Sequence, residues 1–408
     1  MTPAKSVFFL TIILVLGLIG CSHPGCPNGT PGTTGSPSGT PSGSPAPPSS
    51  CPAPGATGNL AALVYSLAGT QLNAGGLDDA GSPFALTEFA SPALPSNHSD
   101  DMVIVNKQFL YIPMGDRTIQ AFTIDRSTAT LTAITGSPYT APTVSGTTDR
   151  AVTDPLGRFL FVGSEFTGEL WVYKISSTTG ALTLVTGSPF TAQYIFSSAD
   201  SLAVDASGQF LYVGQADPTL GIMGFSIDQT TGALTQISGV PFHLGVAELH
   251  ADPAAEFLLG TAQILNRHGP APFDTHIYVF PVANNGVPTA RGSAILTNYA
   301  PYDFMILQNG KYVFTFGINT STWEQGAIEG FALDSTTGTL QPLIGSPFVG
   351  LPSVAYCKVG QSGSEAICTD SLPGTQFSVL SITSSTGGIA HTGKYLTVGN
   401  TFPFAVTN

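Results

Sequence analysis

The sequence has few charged residues, and most of those it has are negative. Charged residues make up 9% of the chain, and 12 Lys and Arg stand against 25 Asp and Glu, which gives a formal net charge of −13. Binding to nucleic acid needs clusters of Lys and Arg that neutralise phosphates. The composition therefore argues against a nucleic-acid partner.

Several short functional motifs are missing as well. The chain has no Walker loop, no Gly-x-Gly-x-x-Gly at a strand-to-helix turn and no His-Glu-x-x-His. The five cysteines form no Cys-x-x-Cys motif, and no pair of histidines lies near them in the sequence. Both absences argue against a cysteine-based metal site. Signals for helices are almost absent from the repeats that make up most of the chain, so a fold of strands is expected.

The most prominent feature that is present is a repeat that ends in Pro followed by Phe or Tyr. These prolines are Pro83, Pro138, Pro189, Pro241 and Pro347. The steps between them are 55, 51 and 52 residues, and then 106, which is two steps of 53. Degenerate copies at 276–296 and near residue 399 bring the number of copies to seven. A fixed period of this length, built of short strands, is typical of propeller blades.

Each copy predicts four short strands. In the clearest copy the runs FLFVG, LWVYKI and LTLVTG follow one another from Phe159, and AVTD at 151–154 precedes them. A Ser/Thr/Gly cluster at 176–180 is typical of a hairpin turn. We predict an all-β fold, a seven-bladed β-propeller of four-stranded antiparallel blades. The stretches 59–84 and 402–408 are expected to complete one blade together and so close the ring.

The first part of the chain resembles an export signal followed by a tether. Residues 1–20 carry Lys5 and then an apolar run too short to span a bilayer, so they predict a signal peptide. The run ends Leu-Ile-Gly before Cys21 and resembles the bacterial lipobox, which implies a lipid on Cys21; the alternative is plain secretion. Residues 21–58 are rich in Ser, Thr, Gly and Pro and predict a tether, and 59–408 form the propeller. We expect an extracytoplasmic protein of the bacterial cell envelope that contacts the membrane only through its lipid anchor.

The other four cysteines predict disulfides in an oxidising compartment. Cys26 and Cys51 flank the tether and can close a loop within it. Cys357 and Cys368 lie at equal distances from a turn at 361–364, so they face each other across two neighbouring strands.

Acidic residues are expected to form a ring on one face of the propeller. In five of the seven blades a carboxylate stands just before the predicted innermost strand: Asp100 and Asp101, Asp149 beside Arg150, Asp200, Glu248, and Asp303 beside Tyr302. Neighbouring carboxylates raise each other's pKa or bind a cation. The alternative is that each Asp only binds the amides of its own turn.

This ring supplies the candidate catalytic and metal-binding residues. The catalytic candidates are Glu248, His250, Asp200, Asp149 and Arg150. The metal candidates are Asp149, Asp200, Glu248 and Asp303. His250 lies inside an innermost strand, where it either faces the channel and serves in acid–base chemistry or is structural. No cofactor is expected other than a divalent cation on the ring.

Two long loops between second and third strands open on the same face and predict a binding surface. Loops 263–275 and 317–326 carry the candidate binding residues Arg267, His268, Asp274, Trp323 and Glu324. Arg and His suit an anion, and Trp suits stacking on a sugar ring or anchoring of a partner. The alternative is a solvated loop that packs over its neighbour.

The repeat resembles the bacterial lactonase-like seven-bladed β-propeller family. The resemblance is carried by FLYVG at 210–214, FSIDQTTGALT at 225–235 and GSPF at 187–190, and it extends over about 60–408. The family includes 6-phosphogluconolactonase-type and muconate-cyclase-like proteins and overlaps with YVTN-type surface propellers. Its enzymes often carry Gly-Pro-Arg-His at the entry of an inner strand. The entries at 147–152, 245–251 and 298–304 differ from that run, and Arg150 is the nearest equivalent.

Two functions follow from the sequence. The first is a monomeric, lipid-anchored binding or scaffold module that takes a small molecule, a carbohydrate or a protein on this face. The second is a lactonase-like hydrolase of a sugar lactone or related carbohydrate, in which a divalent metal or a His/Asp pair activates water. A purely structural role in the envelope is a third, weaker interpretation.

Overall fold

The computed structural model describes most of the chain after residue 59. The described residues are 60–78, 85–89, 94, 99, 101–141, 148–164, 167–191, 201–215, 221–239, 242, 245–254, 256–262, 274–289, 294–307, 309–318, 325–351, 354–360, 363–370, 376–397 and 403–407. They belong to one unit, Ala56–Asn408. The predicted signal peptide, the tether and Cys21, Cys26 and Cys51 lie outside the described residues.

The described residues form seven antiparallel sheets, and each sheet is one blade of a β-propeller. From innermost to outermost strand the blades are as follows: blade 1, β30 (Phe404–Val406), β1 (Leu60–Ala68), β2 (Gln71–Asp78) and β3 (Ala85–Phe89); blade 2, β4 (Val103–Val105), β5 (Phe109–Pro113), β6 (Thr118–Ile124) and β7 (Leu131–Ala133); blade 3, β9 (Thr148–Thr153), β10 (Phe159–Ser164), β11 (Glu169–Ile175) and β12 (Leu182–Leu184); blade 4, β14 (Ser201–Val204), β15 (Phe210–Gly214), β16 (Met223–Ile227) and β17 (Leu234–Gln236); blade 5, β18 (Glu248–Ala251), β19 (Phe257–Thr261), β20 (His276–Pro281) and β21 (Ala294–Leu296); blade 6, β22 (Ala300–Ile306), β23 (Tyr312–Ile318), β24 (Gln325–Leu333) and β25 (Leu340–Pro342); blade 7, β26 (Val354–Val359), β27 (Glu365–Asp370), β28 (Gln376–Thr383) and β29 (Gly388–Thr397). Two short strands, β8 (Tyr139–Thr140) and β13 (Phe190–Thr191), pair with β6 and β11. The prediction of seven four-stranded blades is confirmed.

Both ends of the described chain build blade 1. Strand β30 pairs with β1 through Val64 opposite Val406 and Ser66 opposite Phe404. The predicted closure of the ring by the two chain ends is therefore confirmed. The outermost strand of this blade, β3, lies just beyond the stretch 59–84 that was expected to supply the outer strands.

Neighbouring blades are joined by an aromatic–glycine contact that explains much of the repeat. Gly180 in the last hairpin of blade 3 has a φ of 68°, and a Cβ there would lie 2.5 Å from the ring of Phe109 in blade 2. Tyr111 in the same strand as Phe109 donates a hydrogen bond to the Gly180 carbonyl oxygen at 2.7 Å. Equivalent Tyr-to-turn bonds join other blades: Tyr65 to Ala129, Tyr212 to Gly286 and Tyr312 to Ser385. The aromatic residues of the second strands and the Gly turns of the next blades therefore form the contacts by which neighbouring blades pack.

The Ser before the closing Pro of the repeat also has a structural role. The hydroxyl of Ser188 accepts a hydrogen bond from the Val172 amide in the third strand of its own blade at 2.9 Å. Ser137 and Ser346 make the same bond in blades 2 and 6. The closing Ser-Pro of the repeat thus has a structural role, and functional residues are to be sought at other positions.

A disulfide joins two strands of blade 7. Cys357 in β26 lies directly opposite Cys368 in β27, with their Cα atoms 4.1 Å apart. The predicted cross-strand disulfide is confirmed. In the part of the chain that the structure describes, no helix is long and apolar enough to cross a membrane.

Candidate functional site

The residue at the end of each innermost strand defines equivalent positions in all seven blades, and in blades 2 to 7 it opens the turn to the next strand. In blades 3 to 5 this turn begins with an Asp whose carboxylate accepts a hydrogen bond from the amide five residues later. The amides belong to Phe159, Phe210 and Phe257, and the acceptors are Asp154, Asp205 and Asp252, at 2.7–2.8 Å. Val105, Leu307 and Gly360 open this turn in blades 2, 6 and 7, and Thr407 holds the same position in blade 1, where its amide donates to the Leu63 carbonyl oxygen. We number positions in each innermost strand backwards from this turn residue.

Two tiers of side chains then follow, with one residue from each blade. The upper tier, four residues before the turn, is Asp101, Arg150, Ser201, Glu248, Asp303, Tyr356 and Pro403. The lower tier, two residues before the turn, is Val103, Val152, Ala203, His250, Met305, Lys358 and Ala405. Residues two apart in a strand share a face, so both tiers belong to one surface. Apart from Ala203, all of them line a single cavity of about 460 Å³ to which all seven innermost strands contribute.

Ionisable side chains are concentrated in this cavity although the chain has few of them. Three carboxylates, those of Asp101, Glu248 and Asp303, share it with the basic side chains of Arg150 and Lys358 and with His250. The other lining side chains are uncharged, and many are apolar. A concave, largely apolar space with a few convergent polar groups is the usual form of a small-molecule site.

Glu248, His250 and Asp303 form a close group of potential metal-ligating side chains in the cavity. Each offers one donor atom, and these three atoms lie within 4.8 Å of one another. Glu248 and His250 stand two residues apart on β18, and Asp303 comes from β22 in the next blade. His250 Nε2 is 3.8 Å from Asp303 Oδ1, and the His250 ring packs edge-on against Phe304 with centroids 4.5 Å apart. The packing of one blade against the next therefore assembles this group.

Asp303 is almost completely buried, with 8% of its surface exposed. Its Oδ1 accepts a hydrogen bond from the Phe304 amide at 2.8 Å. Among the described residues no donor reaches its other oxygen, Oδ2. The side chain keeps 12% of its surface exposed and lines the cavity, so this oxygen is accessible to a ligand there.

Glu248 has a strongly perturbed pKa. The pKa of Glu248 is raised to about 8; burial is the largest cause, the Asp303 and Asp101 carboxylates add to it, and the positive charges of Arg150 and Lys358 oppose it. Loss of hydration disfavours the ionised carboxylate, which is the physical reason for the increase. Perturbed acids of this kind cluster at functional sites.

Asp101 and Ser201 serve partly as links between blades. Asp101 accepts a hydrogen bond from the Met102 amide at 2.9 Å and a second one, 3.2 Å long, from Ala151 in blade 3. The Ser201 hydroxyl accepts from the Leu249 amide in blade 5 at 2.9 Å and donates to the Leu249 carbonyl oxygen. Burial raises the pKa of Asp101, and the positive charges of Lys358 and Arg150 counteract this. Asp101 therefore binds a local amide, as the alternative interpretation expected, and also binds an amide of the next blade while it lines the cavity.

The predicted site residues divide into those that the structure brings together and those it does not. Arg150, Glu248, His250 and Asp303 all line the cavity. The candidates Arg267, His268, Trp323, Glu324 and Asp200 lie outside the described residues, as does Asp100, and the side chain of Asp149 is not described either.

Asp274 lies at the edge of blade 5 and does not line the cavity. It accepts hydrogen bonds from the Tyr278 hydroxyl at 2.5 Å and from the His276 amide at 3.0 Å, and it pairs with His276 Nδ1 at 2.9 Å. Its carboxylate is thus occupied by its own strand.

Lys358 is the charged cavity residue that sequence reasoning missed. It holds the position in β26 that His250 holds in β18, two residues before the turn. The sequence signal for Lys358 was its position two residues before Gly360. This signal was hard to see because blade 7 lacks the Asp that marks the turn in blades 3 to 5. An alignment of innermost strands on the turn, rather than on acidic residues, would have found it.

Comparison with known proteins agrees with this fold. Residues 105–243, or 139 of the 408, match the family model described as "Lactonase, 7-bladed beta-propeller". A search of curated proteins found no match. The predicted resemblance to lactonase-like propellers is confirmed.

Several solved structures share the architecture. A candidate 6-phosphogluconolactonase of Bacteroides uniformis has a TM-score of 0.64 at 16% identity, covering 85% of this chain and 99% of its own. A second candidate 6-phosphogluconolactonase, from Bacteroides fragilis, has a TM-score of 0.64 at 14% identity, with 87% and 100% covered. The periplasmic gluconolactonase PpgL of Pseudomonas aeruginosa has a TM-score of 0.63 at 14% identity, with 85% and 98% covered. At these identities the similarity shows the fold, and function has to be argued from the site.

Proposed function

We propose that this lactonase-like propeller hydrolyses a small lactone, of a sugar or a related carbohydrate, in its axial cavity. The observation that carries the proposal is the grouping of Glu248, His250 and Asp303 in a cavity that also holds Arg150 and Lys358. The family match supports this hydrolase, which the sequence analysis placed second, over the binding or scaffold module that it placed first.

The reaction sets three requirements for the site. The oxygen of a water molecule forms a bond to the lactone carbonyl carbon, and the ring C–O bond breaks. One proton of that water ends on the released alcohol oxygen, and the other leaves the new carboxylic acid at neutral pH. The site must therefore activate water, stabilise a developing oxyanion and hold the ring in place.

The cavity offers groups for each of these requirements. Glu248, His250 and Asp303 together are the water-activating group, because an imidazole and two carboxyl groups converge there with one atom of each within 4.8 Å of the others. Arg150 and Lys358 supply positive charge for the oxyanion, and both already act electrostatically on Glu248. A volume of about 460 Å³ accommodates a single sugar-sized ring, since small-molecule sites span roughly 300–1,000 Å³.

The proposed location of this activity is outside the cytoplasm, where a lipid on Cys21 would anchor the protein to a membrane. The lipobox-like sequence before Cys21 supports it, and the Cys357–Cys368 disulfide is in keeping with an oxidising compartment. Metabolic labelling with an alkyne fatty acid tests it: label is expected on the wild-type chain and absent after Cys21→Ser. Equal labelling of both chains would contradict the anchor.

Hydrolysis is tested with the full chain on a panel of five- and six-membered sugar lactones, with proton release followed by a pH indicator. Turnover is expected in the wild type and a loss of about 100-fold or more in His250→Ala, because an acid–base or water-activating group contributes roughly 10²–10⁴-fold. His276→Ala is the matched control, since His276 lies in the same blade outside the cavity. No turnover on any lactone, with retained binding of a carbohydrate, would favour the binding module.

A further inference from the structure

Three potential metal ligands converge in the cavity from two adjacent blades. Glu248 and His250 come from β18 and Asp303 from β22, and one donor atom of each lies within 4.8 Å of the others. Each residue is held by an innermost strand, which is a rigid support for a ligand set. The set combines one imidazole with two carboxylates.

The spacing of these atoms differs from that of a hydrogen-bonded group. His250 Nε2 and Asp303 Oδ1 are 3.8 Å apart, which is too long for a hydrogen bond. Two ligands on one transition-metal ion, each about 2.1 Å from it, are separated by roughly 3.4 Å in a tetrahedral site. A small adjustment of side chains would therefore allow one ion to contact all three residues.

Asp303 gives a second, independent indication of a ligand. Its side chain is 12% exposed and lines the cavity, and among the described residues no hydrogen bond to its Oδ2 is found. A largely desolvated carboxylate gains from a nearby cation, and this oxygen is accessible to a cation that enters the cavity.

We propose that Glu248, His250 and Asp303 bind one divalent transition-metal ion, with its remaining coordination positions open to the cavity. Imidazole favours ions such as Zn²⁺, and carboxylates also accept Mn²⁺, whereas Ca²⁺ takes six to eight oxygen ligands and does not suit this set. An ion with open positions lowers the pKa of a bound water and polarises a carbonyl oxygen. The role in hydrolysis rests on the proposed function, but binding of the ion does not depend on it.

The chain contains a second acid–histidine pair that serves as the control. Asp274 Oδ1 and His276 Nδ1 are 2.9 Å apart, and Tyr278 donates a hydrogen bond to the same carboxylate. This carboxylate is already satisfied by neighbouring donors, so the pair lacks both the spacing and the unpartnered oxygen of the cavity group. Removal of His276 is expected to leave metal binding unchanged.

The test is a titration of the full chain, stripped with chelator, with Mn²⁺ counted by electron paramagnetic resonance. Mn²⁺ is chosen because it binds thiols poorly, so Cys21, Cys26 and Cys51 contribute little. We expect one Mn²⁺ per wild-type chain, unchanged in His276→Ala, and an affinity lowered at least about tenfold in His250→Ala and Asp303→Asn. Asp303→Asn keeps an Oδ1 acceptor for the Phe304 amide, so it separates metal binding from folding.

A second measurement covers the case in which the site binds Mn²⁺ too weakly to be counted. Zn²⁺ is expected to raise the Tm of the wild type and of His276→Ala, and to do so less in the two cavity variants. Absence of both Mn²⁺ binding and a Zn²⁺ shift in the wild type overturns the proposal, and so does equal binding by wild type and both cavity variants. Lactone hydrolysis that survives chelation in such a protein would leave the proposed function standing. Metal binding without hydrolysis of any lactone would leave the metal site standing and contradict the proposed function.

Discussion

His250 and Asp303 face each other across the boundary between blades 5 and 6, with 3.8 Å between Nε2 and Oδ1. They are 53 positions apart in the sequence, which is one period of the repeat. The candidate site therefore exists only where two blades pack side by side around the axis. Its properties should respond both to changes in the cavity and to changes in the contacts between blades.

The first prediction concerns Lys358, the cavity cation from blade 7. Lys358→Met should lower kcat/KM for lactone hydrolysis by about tenfold or more, because it removes positive charge near the developing oxyanion. Steady-state kinetics measure this, and Lys311→Met, which changes an exposed lysine outside the cavity, should leave the kinetics unchanged. Equal kinetics in both variants would remove Lys358 from the site.

The second prediction concerns the disulfide next to Lys358. Replacing both cysteines in Cys357→Ala/Cys368→Ala should lower the free energy of unfolding by roughly 2–4 kcal/mol, because the bond closes a short loop between positions 11 apart. Urea unfolding measures the loss. Addition of a reductant should destabilise the wild type by a similar amount and leave the double variant unaffected. A double variant as stable as the oxidised wild type would contradict a stabilising role.

The third prediction compares two buried tyrosines at the boundary between blades 2 and 3. Tyr111→Phe should cost about 1–3 kcal/mol of unfolding free energy, because it leaves the buried Gly180 carbonyl oxygen without its 2.7 Å hydrogen bond. The buried Tyr173 hydroxyl has no hydrogen-bond partner among the described residues, so Tyr173→Phe should be neutral or stabilising. Chemical denaturation of both variants gives the comparison. A larger loss for Tyr173→Phe would show that the bond to Gly180 contributes little.

The fourth prediction compares two glycines with similar backbone angles. Gly69 has a φ of 63° and open space around it, whereas at Gly180, with a φ of 68°, a Cβ would meet Phe109 at 2.5 Å. Both changes to Ala carry the cost of a left-handed conformation, roughly 1–2 kcal/mol. Gly180→Ala should lower the free energy of unfolding by about a further 1–3 kcal/mol, because the added Cβ overpacks the contact between blades. Equal losses in thermal or chemical unfolding would mean that the aromatic ring moves aside freely.

Much of the fold was predictable because each blade repeats the same local signals. The contact of an aromatic residue with a Gly turn of the next blade, as between Phe109 and Gly180 or Phe159 and Gly232, recurs along the chain because each blade packs on the next in the same way. The closing blade was predictable for the same reason, since 402–408 resembles the other innermost strands. Local sequence could not place β3 as its outermost strand, because no repeat signal marks residues 85–89.

The candidate site was predictable only in part. Glu248 and Asp303 hold equivalent positions in their innermost strands, four residues before the turn that follows, so their shared ring followed from the repeat. The closeness of His250 to Asp303 depends on how two blades are set against each other, which no local pattern encodes. Lys358 was missed because an irregular register between Val354 and Cys357 and a Gly at the turn obscure its equivalence to His250.

The central claim is that Glu248, His250 and Asp303 in the axial cavity carry out the hydrolysis of a lactone. Initial rates of lactone opening by the full-length wild type, His250→Ala and His276→Ala test it most directly, with Asp303→Asn as a second cavity variant and circular dichroism confirming that each is folded. We expect the wild type and His276→Ala to turn over equally, and both cavity variants to lose about 100-fold or more. Undiminished turnover in folded His250→Ala and Asp303→Asn would contradict the claim.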